Sequence, residues 1–322
     1  MKFVFALILI VLGIIESPAQ EIINYDLFTG VGIYSNGDKV VVLRKFNEGD
    51  RSMFFVVNPN SLVTKIISID SLLVFPSTWN NILVVFSKTT FIKAIHHAEY
   101  LDNYLQDAGY RKFRESQKGI DLTIDLCPSK RPLDRIVFND IIESMSKVES
   151  PVPIAISITG RWINSHIKDL NWLDSLVKRR KLTITWVNHT YNHYIKKNSP
   201  LGMNFMLAPG TDIKSEILNT EVDLLKRKIV PSIFFRFPGL VSNQLVYNQI
   251  LQFGLIPIGS DAWLAKGQKP GNGSIVLIHA NGNEMIGVKE FIELLKSKQN
   301  EVLSRHWELF DLRESLIEDE SE

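Results

Sequence analysis

One cysteine, Cys127, serves all 322 residues, so no disulfide can form within the chain and stability must come from a packed core. Charge of one sign is equally scarce. Lysine plus arginine number 36 against 35 aspartate plus glutamate, which leaves no one-signed field for nucleic acid or an anionic membrane surface. Beyond the first fifteen residues no apolar run approaches the roughly 20 residues of a membrane-spanning helix. The chain also lacks a G-x-S-x-G elbow, a G-x-x-x-x-G-K-[ST] phosphate loop and an H-E-x-x-H zinc helix. Three common hydrolase and nucleotide-binding classes are thereby excluded. What remains, at 45% apolar and 22% charged, is ordinary globular protein, long enough for one sizeable barrel and a smaller domain.

Lys2, the apolar run from Phe3 to Ile15 and the small residues of Ser17-Pro18-Ala19 read as a signal peptide over residues 1–19. Its removal would leave a secreted or periplasmic chain with no integral membrane segment. A buried or anchoring N-terminal helix is the other reading. Residues 20–95 read as a small β-rich domain. Gly30 to Tyr34 and Lys39 to Leu43 flank Asn36-Gly37, a type I′ hairpin signal, and further strand runs extend from Met53 to Val57, Val63 to Ile69, Leu72 to Phe75, Ile82 to Phe86 and Thr90 to Ile95. Ala98, Leu101, Leu105 and Ala108 share one helical face, which predicts a helix from Glu99 to Ala108 within a linker over 96–118. From 119 to 315 strand and helix signals alternate, as in a parallel α/β sheet or barrel. The acidic tail, 316–322, reads as frayed from Glu318 onward.

Five chemical motifs fall at the C-terminal ends of the predicted strands of this second region. They are Asp125, the pair His189 and His193, Arg236, Asp261 with Trp263, and His279. In an α/β barrel that is the face on which the βα loops build an active site. The set supplies a base, two imidazoles, a guanidinium and a further acid, which suits hydrolysis at a metal ion. Each residue alone has a plainer reading. The histidines, four apart, share one side if a helical turn follows the strand, yet histidine pairs are also ordinary surface. Arg236 suits a structural ion pair as well as a partner for Asp125, and His279 could simply end a strand. Asn188-His189-Thr190 and Asn272-Gly273-Ser274 are glycosylation sequons short enough to be coincidental.

With these residues in view, the stretch from Gly119 to Leu312 resembles the polysaccharide deacetylase family, the NodB-homology domain. The resemblance implies a distorted (β/α) barrel behind the β-sheet domain. It also implies a divalent metal, zinc in many members, and removal of acetyl groups from an acetylated polysaccharide or oligosaccharide by metal-activated water. His189 and His193 match the His-[Ser/Thr]-x-x-His motif and are implied metal ligands. Asp125 matches the base, and Arg236 and Pro238 match Arg-x-Pro, with Gly239 in place of the usual aromatic; both Pro238 and Gly239 are implied to face substrate. Leu277 and His279 match Leu-x-His, which carries the acid. Asp261 and Trp263 are similar to the acid-tuning aspartate and the groove-wall tryptophan, separated here by Ala262. The first motif departs from the family. Thr123-Ile124-Asp125-Leu126-Cys127-Pro128 has leucine where the family places a second aspartate, the third metal ligand. Three replacements are conceivable: Asp125 itself, the Cys127 thiolate, or a carboxylate such as Asp261 or Glu284. The rival reading is a metal-free pseudo-enzyme that binds glycan.

Overall fold

The structure, a computed structural model, describes residues 21–101 and 105–320; the expected signal peptide lies outside the described residues. An antiparallel sheet opens the chain, from strands β1 (Ile22–Ile33), β2 (Lys39–Glu48), β3 (Arg51–Val57), β4 (Thr64–Ser68) and β5 (Leu73–Pro76), in the order β4-β3-β2-β1-β5. The hairpin at Asn36-Gly37 forms, but not as type I′. Gly37 alone of the two has positive φ (89°), its N–H bonds to Tyr34 O, and Tyr34 N–H bonds to Asp38 O, so the loop is wider by one residue.

Two expected strands are helices. Helix α1 (Trp79–Val85) is capped by Thr78, whose side chain accepts from Asn81 N–H, and α2 (Thr90–Tyr100) follows Thr89. Both contain β-branched runs. In α2, however, Phe91, Ile92, Ala94, Ile95 and Ala98 are buried, a helical stripe, and burial of that stripe outweighs β propensity. The helix expected from Glu99 to Ala108 therefore ends at its beginning, where Leu101 turns extended (ψ 142°).

The second region comprises β6 (Gly119–Leu126), α3 (Arg135–Met145), β7 (Val152–Ile158), α4 (Gly160–Ser165), α5 (Ile167–Lys178), β8 (Leu182–Asn188), α6 (Ile213–Leu225), β9 (Phe234–Phe235), α7 (Gln244–Gln252), β10 (Ile256–Pro257), β11 (Ala262–Trp263), β12 (Ser274–Ile278), α8 (Met285–Ser297), α9 (Gln299–Leu303), β13 (Glu308–Leu309) and α10 (Leu312–Asp319). Its strands pair in parallel in the order β10-β9-β8-β7-β6-β12-β11, with β13 beside the first residues of β6. The sheet curls into an incomplete barrel. Segment 106–113 crosses the gap between β10 and β12: Tyr110 N–H bonds to Pro257 O, and Ile275 N–H bonds to Arg111 O.

Every residue of β6 is buried, and its alternation decides what each face carries. Ile120, Leu122, Ile124 and Leu126 join the apolar layer that also holds Val137, Phe138 and Phe291 of the outer helices. Asp121, Thr123 and Asp125 face the other way. On that side a second apolar cluster unites Ala155, Val187 and Ile275 of the barrel with Val41, Phe55 and Ile95 of the N-terminal region. A buried ion pair ties the two regions further. Arg44 of β2 grips Glu221 of α6 through Nε (2.9 Å) and Nη2 (3.0 Å), and Tyr25 Oη donates to the same carboxylate (2.8 Å).

The tail is not frayed at Glu318. Helix α10 continues to Asp319, and the Glu320 carboxylate accepts from Tyr110 Oη (2.6 Å) and lies 2.9 Å from His97 Nδ1. Among the described residues no helix is long and apolar enough to cross a membrane.

Candidate active site

At the C-terminal end of β6 the backbone is pinned on both sides. The Leu126 carbonyl accepts from Thr159 Oγ1 (3.1 Å), and the Cys127 carbonyl accepts from Asn281 Nδ2 (2.7 Å). Leu126 stays in the apolar layer, fully buried, while Cys127 turns into a cleft of about 1040 Å³ whose lining includes His193, Trp263, His279 and Glu284.

Beneath Cys127 and His193 lie three buried groups. Asp125 ends one alternate position before the strand does; its Oδ1 has no hydrogen-bond partner and stands 3.8 Å from Arg236 Nη1. Arg236, fully buried after β9, donates from Nη2 to Gly259 O (3.0 Å) and so presents its remaining edge to Asp125. His189, one residue beyond β8, donates from Nδ1 to the Arg236 carbonyl (2.9 Å). A carbonyl can only accept, so Nδ1 carries a proton and Nε2 is the atom that the neutral ring offers as acceptor or ligand. Nε2 lies 3.5 Å from Cys127 Sγ and 3.7 Å from Asp125 Oδ2.

The two histidines do meet, with ring centroids 5.0 Å apart, but no helical turn brings them together. Residues 189–193 form an irregular loop with Thr190 (φ 68°) and His193 (φ 49°) in the left-handed region. Glu216 of α6 holds it by accepting from Tyr191 N–H (2.9 Å), Asn192 N–H (2.8 Å) and Asn192 Nδ2 (2.6 Å). His193 packs against the edge of Phe205 (5.1 Å between centroids), and its Nε2 is buried without a partner. Phe205 also explains Gly239. With φ at 59°, a Cβ on residue 239 would come within 2.6 Å of the Phe205 ring, so this ring fills the space that a side chain at 239 would need. Gly239 lines the cleft; Pro238 is buried behind it.

His279, just past β12, is 8% exposed and lies 2.9 Å from Glu284 Oε2 through Nδ1. The indole Nε1 of Trp263 donates to the same oxygen (2.7 Å). Asp261 is elsewhere. It precedes β11 and accepts from Ser274 Oγ (3.0 Å) at the first residue of β12, the end of that strand remote from His279. Asp261 thus stands apart from His279, and the carboxylate that meets this imidazole is Glu284. Sequence reasoning placed Glu284 only among candidate metal ligands; its signal was a carboxylate five residues past the histidine. Asn188 is no glycan acceptor in this fold: it is fully buried, donates to Ile217 O (3.0 Å) and accepts from Thr190 N–H (3.0 Å).

The electrostatics are cooperative. Burial alone would raise the Cys127 thiol, but the imidazoles of His193, His279 and His189 outweigh it and hold the thiol well below its usual range. Burial opposes protonation of His279, yet Cys127, Glu284 and Asp125 carry it well above the usual imidazole value. His189 rises likewise: burial works against its charge, and Asp125 and Cys127 work for it.

The ligand atoms of Cys127, His189 and His193 all lie within 4.8 Å of one another. Two imidazole donors with a buried, unpartnered Nε2 on one of them fit a divalent ion of the zinc type, and the hydrogen bond behind His189 is the orienting contact that such ligands normally have.

Residues 31–101 match the family described as the RP012 protein N-terminal domain. Among solved structures, the chain is similar to a family 4 carbohydrate esterase from Bacillus anthracis, at TM-score 0.47 and 15% identity, covering 66% of this chain and 88% of that one. It is similar also to a CE4 family pseudoenzyme from Bacillus anthracis, at TM-score 0.44 and 18% identity, covering 64% and 68%. A peptidoglycan deacetylase from Bacillus subtilis gives TM-score 0.42 and 16% identity, covering 63% and 91%. These three structures are thus a family 4 carbohydrate esterase, a CE4 family pseudoenzyme and a peptidoglycan deacetylase.

Proposed function

We propose that the chain is a hydrolase that removes acetyl groups from an extracellular glycan. One observation carries the reading: a cleft at the strand ends is lined by His193 and by His279, an imidazole paired to a carboxylate, and beneath it lie a further imidazole, His189, and a buried carboxylate with an unpartnered oxygen, Asp125.

Asp125 is the base. Arg236, fixed by Gly259, holds the carboxylate's orientation without sharing a short hydrogen bond with it, so Oδ1 stays free to take a proton from water. A divalent ion held by His189 and His193 would supply Lewis acidity and lower the pKa of water there. His279, whose protonation Cys127 favours most and Glu284 and Asp125 after it, delivers a proton to the departing sugar oxygen or nitrogen. Trp263 tethers Glu284 by its N–H and turns an apolar ring to the cleft, a surface on which a sugar face can lie. Export through the segment 1–19 would bring the chain to such glycans.

Acetate release from an acetylated oligosaccharide tests this. Asp125→Asn and His279→Ala should each lower the rate by about 10²–10⁴-fold, the usual weight of general acid–base catalysis. Full activity in either variant removes that residue's role. A parent protein that binds the oligosaccharide and releases no acetate is a glycan-binding module instead.

A further inference from the structure

Position 126 marks a missing donor, and the structure shows both why leucine is accepted there and where a replacement stands. The alternation of β6 sends side chain 126 into the apolar layer shared with Ile124, Ile158 and Trp162. One residue later the strand has ended, the pinned Leu126 and Cys127 carbonyls set the backbone, and the Cys127 sulfur points into the cleft. There it lies 3.5 Å from His189 Nε2, beside the unpartnered Nε2 of His193.

We infer that Cys127 is the third protein ligand of a Cys–His–His metal site, so that the donor has moved one position along the chain rather than been lost. The inference rests on the reading of the cleft as a hydrolytic metal site. Three protein donors with an open position form the usual catalytic zinc arrangement, and thiolate with two imidazoles is a recurrent set. Two consequences follow. Asp125 need not leave its place beside Arg236 to complete the shell, so the base is kept. A soft sulfur donor also turns the site toward zinc, cobalt or cadmium and away from magnesium or manganese.

The full chain, stripped of metal and titrated with cobalt(II), reports its ligands by absorption. A near-ultraviolet sulfur-to-cobalt charge-transfer band should grow and saturate at one equivalent. Cys127→Ser should lose the band and bind cobalt about 100-fold or more weakly, since even loss of a supporting contact to a ligand costs about 10–100-fold. Cys127→Asp, which restores a donor at the same position, should recover affinity without the band; it also guards against misfolding of the serine variant, as does far-ultraviolet circular dichroism of each. Equal cobalt affinity in parent and Cys127→Ser, a parent spectrum without the band, or an acetylated Cys127 trapped during turnover would each overturn the inference. Acetate release is read separately: a band without acetate release sinks the hydrolase and leaves the thiolate site, whereas acetate release without a band does the reverse.

Discussion

His279 takes its ion-pair partner from Glu284, and the same oxygen accepts the Trp263 indole N–H, so one carboxylate contacts both the proposed acid and the cleft wall. Burial resists the charge of Glu284, yet His279 first and Trp263 after it hold its carboxyl below the usual range. Asp261, bonded to Ser274, has no such contact. Glu284→Gln should therefore lower acetate release by about tenfold or more, since each ~1.4 kcal/mol of lost stabilisation is a factor of ten. Glu284→Asp should recover part of that loss, because the charge returns on a shorter arm. Asp261→Asn should stay close to the parent. A larger loss in Asp261→Asn than in Glu284→Gln would reverse the assignment.

At the scale of elements, the strand end of β6 and the loop 189–193 form the site together. The loop carries two residues in the left-handed region and is held there by Glu216 from α6, so the pair of imidazoles depends on a helix that follows them in sequence. The strand contributes by parity: odd positions carry its polar side chains into the barrel interior and even positions reach the helices. Leu126→Asp puts a carboxylate among apolar side chains. It forfeits transfer energy of about 1.5–3 kcal/mol and adds the cost of a buried charge. The variant should melt lower than the parent, with or without zinc, and should not bind zinc more tightly. Zinc binding that tightens in Leu126→Asp would mean that side chain 126 can face the ion after all.

Across the whole molecule, what the sequence made legible was what local pattern encodes. Short β-rich runs, alternating in β6 and β8 and continuous in β12, each followed closely by a polar residue, identified these strands and placed Asp125, His189 and His279 on one face, because parallel strands share a direction. Most of the antiparallel N-terminal strands were readable from β-rich runs between turn residues, although the first was read only from Gly30 and begins at Ile22. Less legible were choices made by distant contacts. Helices α1 and α2 looked like strands because only packing shows which side of Phe91, Ile95 and Ala98 is buried. Asp261 looked like the partner of His279 because sequence does not say at which end of the short strand β11 a carboxylate emerges. Cys127 meets His189 across 62 residues, and Arg44 meets Glu221 across 177, separations over which no periodicity reports.

The central claim, that this cleft hydrolyses acetyl groups at a bound metal, is tested most directly by measuring acetate release from an acetylated chito-oligosaccharide together with the metal content of the same preparation. The expected result is about one zinc-type ion per chain, as a three-ligand site holds, with acetate release that disappears on chelation and returns with zinc. Acetate release that survives complete removal of the metal, or a metal-loaded chain that releases none, would contradict it.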